Sequence, residues 1–131
     1  MIALTLRCVI VDDNPAVLRA ASELLEHQGM SVVGVAAVGD HAVALMEELE
    51  PDVMLVDIVL GRESGFELVR RLVQRCESAA SRTILISTYE EADFAQPIAA
   101  SPAVGFLPKS ELSATAIQRL LAGARDEGPQ R

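Results

Sequence analysis

Tryptophan is absent from this 131-residue chain, and one tyrosine and three phenylalanines are its only aromatics. Any core must therefore be aliphatic. Cysteine is scarce too: Cys8 and Cys76 share no CxxC spacing and both fall at apolar positions. They read as free, reduced core thiols of a cytosolic protein. Positive charge is in deficit, with eleven Lys and Arg against nineteen Asp and Glu and a formal net charge of −8. That balance argues against direct binding of nucleic acid or an anionic membrane by this domain. No apolar run approaches membrane-spanning length. No signal-peptide pattern is present either, because Met1-Ile2-Ala3-Leu4 leads straight into a strand pattern. His27 and His41 lack ligand spacing to any other His or Cys, so surface or capping roles are assigned to them. The stretch GVAAVG at 34–39 lacks the GxGxxG pattern of a dinucleotide site.

What is present is one domain's worth of chain, 50% hydrophobic and 23% charged, enough to build a sizeable core. Short, continuous apolar runs predict strands at Leu6–Val11, Val32–Ala36, Val53–Asp57, Thr83–Ser87 and Val104–Leu107. Continuous rather than alternating runs suit parallel strands covered on both faces. Helical patterns lie between them. Asn14-Pro15 predicts a cap and first turn, with Leu18, Ala21 and Leu25 on one face and Gly29 as the stop. Asp40 is the expected cap of a second helix ended by Pro51, and Ser64 that of a third. The fourth is expected to follow Glu90-Glu91 and to be shortened or kinked by Pro97. The fifth is expected to start at Ser110 or Ser113 and to bury Ile117, Leu120 and Leu121. Residues 1–124 then form the domain and 125–131 a flexible tail. Strict β-α alternation predicts an α/β doubly wound parallel sheet of five strands and five helices.

Chemistry concentrates where strands end. Asp57 closes Val53-Met54-Leu55-Val56, and Asp12-Asp13 close Cys8-Val9-Ile10-Val11. An isolated interior charge is costly, so these acids belong at the carboxyl ends of buried strands, where open α/β sheets place ligands. Three carboxylates at one edge repel one another unless a cation or a shared proton relieves them. Ser87-Thr88 close the fourth strand, and Lys109 follows the fifth after Pro108. Such a set can hold Mg²⁺ on carboxylates, set a lysine against phosphoryl charge and offer a hydroxyl as donor.

These motifs, VIVDD at 9–13, MLVD at 54–57 with Gly65 eight residues on, ILIST at 84–88 and GFLPKS at 105–110, resemble in order those of the response regulator receiver domains of two-component signalling, over about 6–123. The resemblance implies a flavodoxin-like sheet of strand order 2-1-3-4-5. It implies that Asp57 is the phosphoacceptor and that Asp12, Asp13, Asp57 and the backbone carbonyl of Val59 bind Mg²⁺. Lys109 would pair with Asp57 and then with the phosphoryl group. Ser87 would be the switch hydroxyl, and Phe106 the switch aromatic that turns inward as Ser87 moves. Val59, Thr88 and Tyr89 would tune access to the acyl phosphate. Lacking a general base, Val59 and Tyr89 imply a long-lived phosphoryl state.

The implied donor is a histidine kinase or phosphotransfer protein, and the implied downstream protein partner docks on the face of the fourth helix, fifth strand and fifth helix. A cytoplasmic location follows, and a homodimer through the last helices stays open. The Lys-Ser pair resembles receivers joined to helix-turn-helix output domains. A stand-alone regulator or phosphorelay carrier is expected here, with the receiver fragment of a longer transcriptional regulator as the alternative. Ser110 stands where many members have a proline in a cis peptide; a cis Lys109-Ser110 bond would cost about 3 kcal/mol. Two other functional classes compete. A metal-dependent phosphatase would want a second acid two residues beyond the nucleophile, where Val59 stands. A phosphorylation-independent interaction module would not need the complete set of site residues.

Overall fold

The structure, a computed structural model, describes residues 5–127, with side-chain surroundings described through residue 123. Five parallel strands form the main sheet: β1 (Arg7–Val11), β2 (Ser31–Ala36), β3 (Val53–Asp57), β6 (Thr83–Ser87) and β7 (Gly105–Pro108), in the order β2-β1-β3-β6-β7. Counting these five alone, the order is 2-1-3-4-5, as the resemblance implied. Side chains alternate between two aliphatic cores, one on each face. Val9, Val11, Met54, Val56, Leu85 and Phe106 pack with α2 (Gly39–Leu49) and α3 (Gly65–Arg75). Cys8, Ile10, Leu55, Ile84, Ile86 and Leu107 pack with α1 (Pro15–His27) and α5 (Ala114–Glu127). Burial on both faces is why the strands read as unbroken apolar runs.

Local signals hold at most helix ends. The Asn14 side chain accepts from the Ala16 N–H at 2.9 Å, with Pro15 in the first turn. Gly29, at φ +95°, follows the end of α1. Ser64 caps α3 by accepting from the Phe66 N–H at 3.1 Å. Ser113, not Ser110, starts α5, accepting from the Ala116 N–H at 3.0 Å.

One cap expectation is corrected. Asp40 lies inside the first turn of α2; the cap position is Val38, which supplies no side-chain bond. The fourth helix is short, as expected: the region after Glu90 forms a 3₁₀ turn, Glu91–Phe94, and then the six-residue α4 (Ala95–Ala100), because Pro97 tolerates only a first turn on its N-terminal side. Two short strands that the sequence pattern did not predict, β4 (Val59–Leu60) and β5 (Glu63–Ser64), form an antiparallel ribbon after Asp57. Helix α5 runs to Glu127, into the stretch read as a tail from 125. The rest of that tail and the opening Met1–Leu4 lie outside the described residues.

The two cysteines are unlike. Cys8 is fully buried, and burial pushes its thiol up to about 12. Cys76 is partly exposed at the end of α3, and its thiol is lowered, first by the Ser78 hydroxyl and then by Arg82. A disulfide-exchange reagent at mildly alkaline pH is expected to titrate one thiol quickly in the native protein and the second only after denaturant is added. Two fast thiols, or none, would contradict this burial.

Candidate functional site

Parallel register gathers the site. Val11 pairs with Val56, so Asp12 leaves β1 beside Asp57 at the end of β3. Asp57 pairs with Ile86, and Ser87 pairs with Pro108, so Ser87 and Lys109 arrive at the same carboxyl edge. Carboxylate oxygens of Asp12, Asp13 and Asp57 lie within 4.8 Å of one another. Lys109 Nζ stands 2.5 Å from Asp12 Oδ2 and 3.2 Å from Asp57 Oδ2.

This cluster is largely removed from water: Asp12 is 0% and Asp57 7% exposed, while Asp13 is open to solvent. The Asp57 carboxyl is raised above the usual carboxylate range, first by burial and then by the Asp12 charge; Lys109 opposes this only in part. Burial pulls Lys109 down, but the hydrogen bond and charge of Asp12, with Asp57, outweigh it and raise its pKa, so the ammonium stays charged. Asp57 Oδ1 accepts from the Val59 N–H at 3.4 Å, and Asp12 Oδ1 from the Asn14 N–H at 2.9 Å. Asp12 Oδ2 is buried, and its close partner among the described residues is the Lys109 ammonium. Three carboxylates within 4.8 Å of one another, with one lysine to offset them, fit a hard divalent cation such as Mg²⁺.

The remaining predicted residues surround this core. Ser87 is 1% exposed, and its Oγ accepts from the Tyr89 N–H at 2.9 Å. Its hydroxyl is thus held in a local turn. Thr88 is exposed, and Tyr89 is 53% exposed with its ring edge-on to Phe94 at 5.7 Å. Val59, on the ribbon, is 44% exposed. Phe106 is already turned into the core. All peptide bonds of the described residues are trans, Lys109-Ser110 included.

Two features escaped sequence reasoning. Gly65 was visible as a motif letter, but its reason is a backbone approach: a Cβ there would overlap the Asp57 carbonyl oxygen and lie 2.8 Å from Ile58 Cα. Glu63 carried no signal, because its partners come from α2 and α3. One unused signal did exist for Lys109. It is the sole lysine among eleven basic residues, and an ammonium suits a phosphoryl group as a compact point charge.

Comparison with known proteins places the chain in a family. The family sequence model described as "Response regulator receiver domain" matches residues 8–121. Response regulator GacA of Pseudomonas aeruginosa is 29% identical over 129 residues, covering 95% of this chain and 59% of GacA. Protein PilH of the same organism is 35% identical over 85 residues, covering 65% of this chain and 69% of PilH. The chain therefore spans less than two thirds of GacA's length. A crystal structure of a LuxR-family two-component response regulator from an Aurantimonas species superposes with a TM-score of 0.81 at 30% identity, covering 92% of this chain and 87% of that one.

Proposed function

The chain belongs to the response regulator receiver domain family of two-component signalling, and from that premise we propose that it is a switch thrown by phosphorylation of Asp57. The observation that supports this best is the buried strand-end carboxylate of Asp57, 3.2 Å from a lysine and within 4.8 Å of two further acids.

An ionised Asp57 oxygen attacks the phosphorus of a phosphohistidine on a kinase or phosphotransfer protein, or of a small acyl phosphate. The P–N or P–O bond breaks, and the leaving group keeps its electron pair. Asp57 then carries an acyl phosphate. Asp12, Asp13, Asp57 and the Val59 carbonyl would hold Mg²⁺, which when bound neutralises phosphoryl charge. Lys109 exchanges its bond to the Asp57 carboxylate for one to a phosphoryl oxygen. The Ser87 hydroxyl leaves the Tyr89 N–H and donates to another. With Phe106 already inside, this movement of Ser87 biases two arrangements of the sheet edge separated by a few kcal/mol. The downstream partner reads the face of α4, β7 and α5. Val59, Thr88 and Tyr89 set how readily water reaches the acyl phosphate. The protein turns over only its own phosphorylation. The valine at position 59 disfavours a phosphatase of the aspartyl-nucleophile kind, since it leaves no second acid to act as base.

Intact-protein mass after incubation with Mg²⁺ and acetyl phosphate tests this. The wild type is expected to gain one phosphoryl group and Asp57→Asn none. A folded wild type that gains nothing, even with a cognate kinase, would instead favour a phosphorylation-independent interaction module on the receiver scaffold.

A further inference from the structure

Helix α2 begins without a cap of its own: Val38 at the cap position has no side-chain acceptor. An uncapped first turn leaves backbone N–H groups without partners and a positive helix end uncompensated. The missing acceptor arrives from 24 residues away. Glu63 Oε1 accepts from the Gly39 N–H at 3.1 Å. Its Oε2 accepts from Arg71 on α3 at 2.7 Å, and Arg71 reaches on to Asp40 at 2.7 Å. The fit requires glycine at 39, since a Cβ there would overlap Glu63 Oε1 and lie 2.6 Å from Oε2.

The position of Glu63 gives this contact its meaning. Glu63 pairs with Leu60 in the ribbon that also carries Val59, beside the Asp57 strand end. The ribbon turns at Gly61, at φ +59°, where an added Cβ would stand 3.3 Å from Asp13 Oδ2. On the other side, Gly39 follows three residues after Ala36, whose carbonyl accepts from the Asp12 N–H at 3.0 Å. Glu63 therefore ties the two walls of the acidic cluster together: the ribbon with Val59 on one side, and on the other the start of α2, three residues beyond the β2 end that bonds Asp12. Its side chain is only 29% exposed, whereas Asp40 is 91% exposed, so the contacts made by Glu63 outweigh the outer Arg71–Asp40 pair.

We infer that Glu63 is a positioning residue for divalent-cation binding at Asp12, Asp13 and Asp57, acting through the Gly39 N–H; this rests on the cation site proposed above. Partners that orient metal ligands are commonly worth tenfold or more in affinity.

The test is Mg²⁺ titration by calorimetry of the whole chain, with thermal melts alongside. Glu63→Ala is expected to weaken Mg²⁺ binding about tenfold. Gly39→Ala, which pushes Glu63 off without touching its charge, is expected to do the same. Glu63→Gln keeps an acceptor for Gly39 and should recover most of the affinity. Asp40→Asn should leave it unchanged, although it loosens the same helix pair. Wild-type affinity in folded Glu63→Ala and Gly39→Ala, with binding abolished in Asp12→Asn, would overturn the positioning role and leave the cation site standing. Equal weakening in Asp40→Asn and Glu63→Ala would also overturn it, since that would mark a general loss of packing. A wild type that binds no Mg²⁺ would overturn the site itself and the inference with it.

Discussion

Lys109→Met is expected to lose about 3 kcal/mol of stability at neutral pH, the low end of the cost of breaking a buried ion pair by removing one partner. For a chain of this length that is a fall in Tm on the order of 10 °C. Among the described residues no other cation forms a salt bridge with Asp12 or Asp57. Without Lys109, two carboxylates that are 0% and 7% exposed face each other uncompensated. The pH dependence has a definite sign. The Asp57 carboxyl is raised from 3.8 in the folded state, so the folded protein holds that proton more tightly than the unfolded chain. Ionising Asp57 therefore costs stability. The penalty is absent below the unfolded value and complete once pH has risen through the folded value. Removing Lys109 takes away the group that opposes the rise, so the deficit of the variant should be largest near neutrality and shrink as pH falls into the carboxylate range. Asp57→Asn should shift the other way, more stable than wild type at neutral pH and close to it in acid. Excess Mg²⁺ should recover part of the Lys109→Met loss, because a ligand that binds only the folded state stabilises it. Melts across mildly acid to neutral pH check all of this; a variant that melts with the wild type throughout would show that Lys109 is not the counter-charge.

Gly65→Ala is expected to cost about 3 kcal/mol or more and to abolish phosphoacceptance together with stability. The three atoms nearest the new methyl are all backbone: the Asp57 carbonyl carbon at 2.9 Å, its oxygen closer still, and Ile58 Cα at 2.8 Å. A flexible side chain can swing away from such a methyl, but the end of a central strand can yield only by moving Asp57. The Gly65 N–H also donates to the Ile58 carbonyl at 2.7 Å, so helix α3 is seated directly on the acceptor loop. Gly123→Ala in α5 is the matched control. Nothing lies within 4 Å of its added Cβ, and alanine is the better helix former by up to about 1 kcal/mol. Denaturant melts with intact-mass phosphorylation of both variants decide the matter. A Gly65→Ala protein of wild-type stability would mean that the α3 junction has slack the structure does not show.

The sheet was legible from sequence because each strand announces itself locally. An apolar run such as Val53–Val56 can be stable only when covered on both faces, and Asp57 marks where cover ends. The same logic located Asp12, Asp13, Ser87 and Lys109 at one edge, since parallel strands with right-handed crossovers all end on the same side. Helix ends were legible wherever the cap was a neighbour in sequence, as at Asn14 and Ser64, and misread where it was not. Asp40 had the right chemistry for α2, but its place was taken by Glu63, which only the folded chain brings to Gly39. The 59–64 ribbon was illegible for a related reason: two-residue strands carry too little period to detect.

Sequence alone determined the five strands of the main sheet, the fold class and the residue types at the carboxyl edge, because apolar periodicity and strand-end charge are properties of neighbouring residues. Tertiary structure alone decided the distances within the acidic cluster, the turn holding Ser87, the need for glycine at 65 and the role of Glu63. Each of these depends on groups brought together by sheet register, and register emerges only when all the strands pair at once.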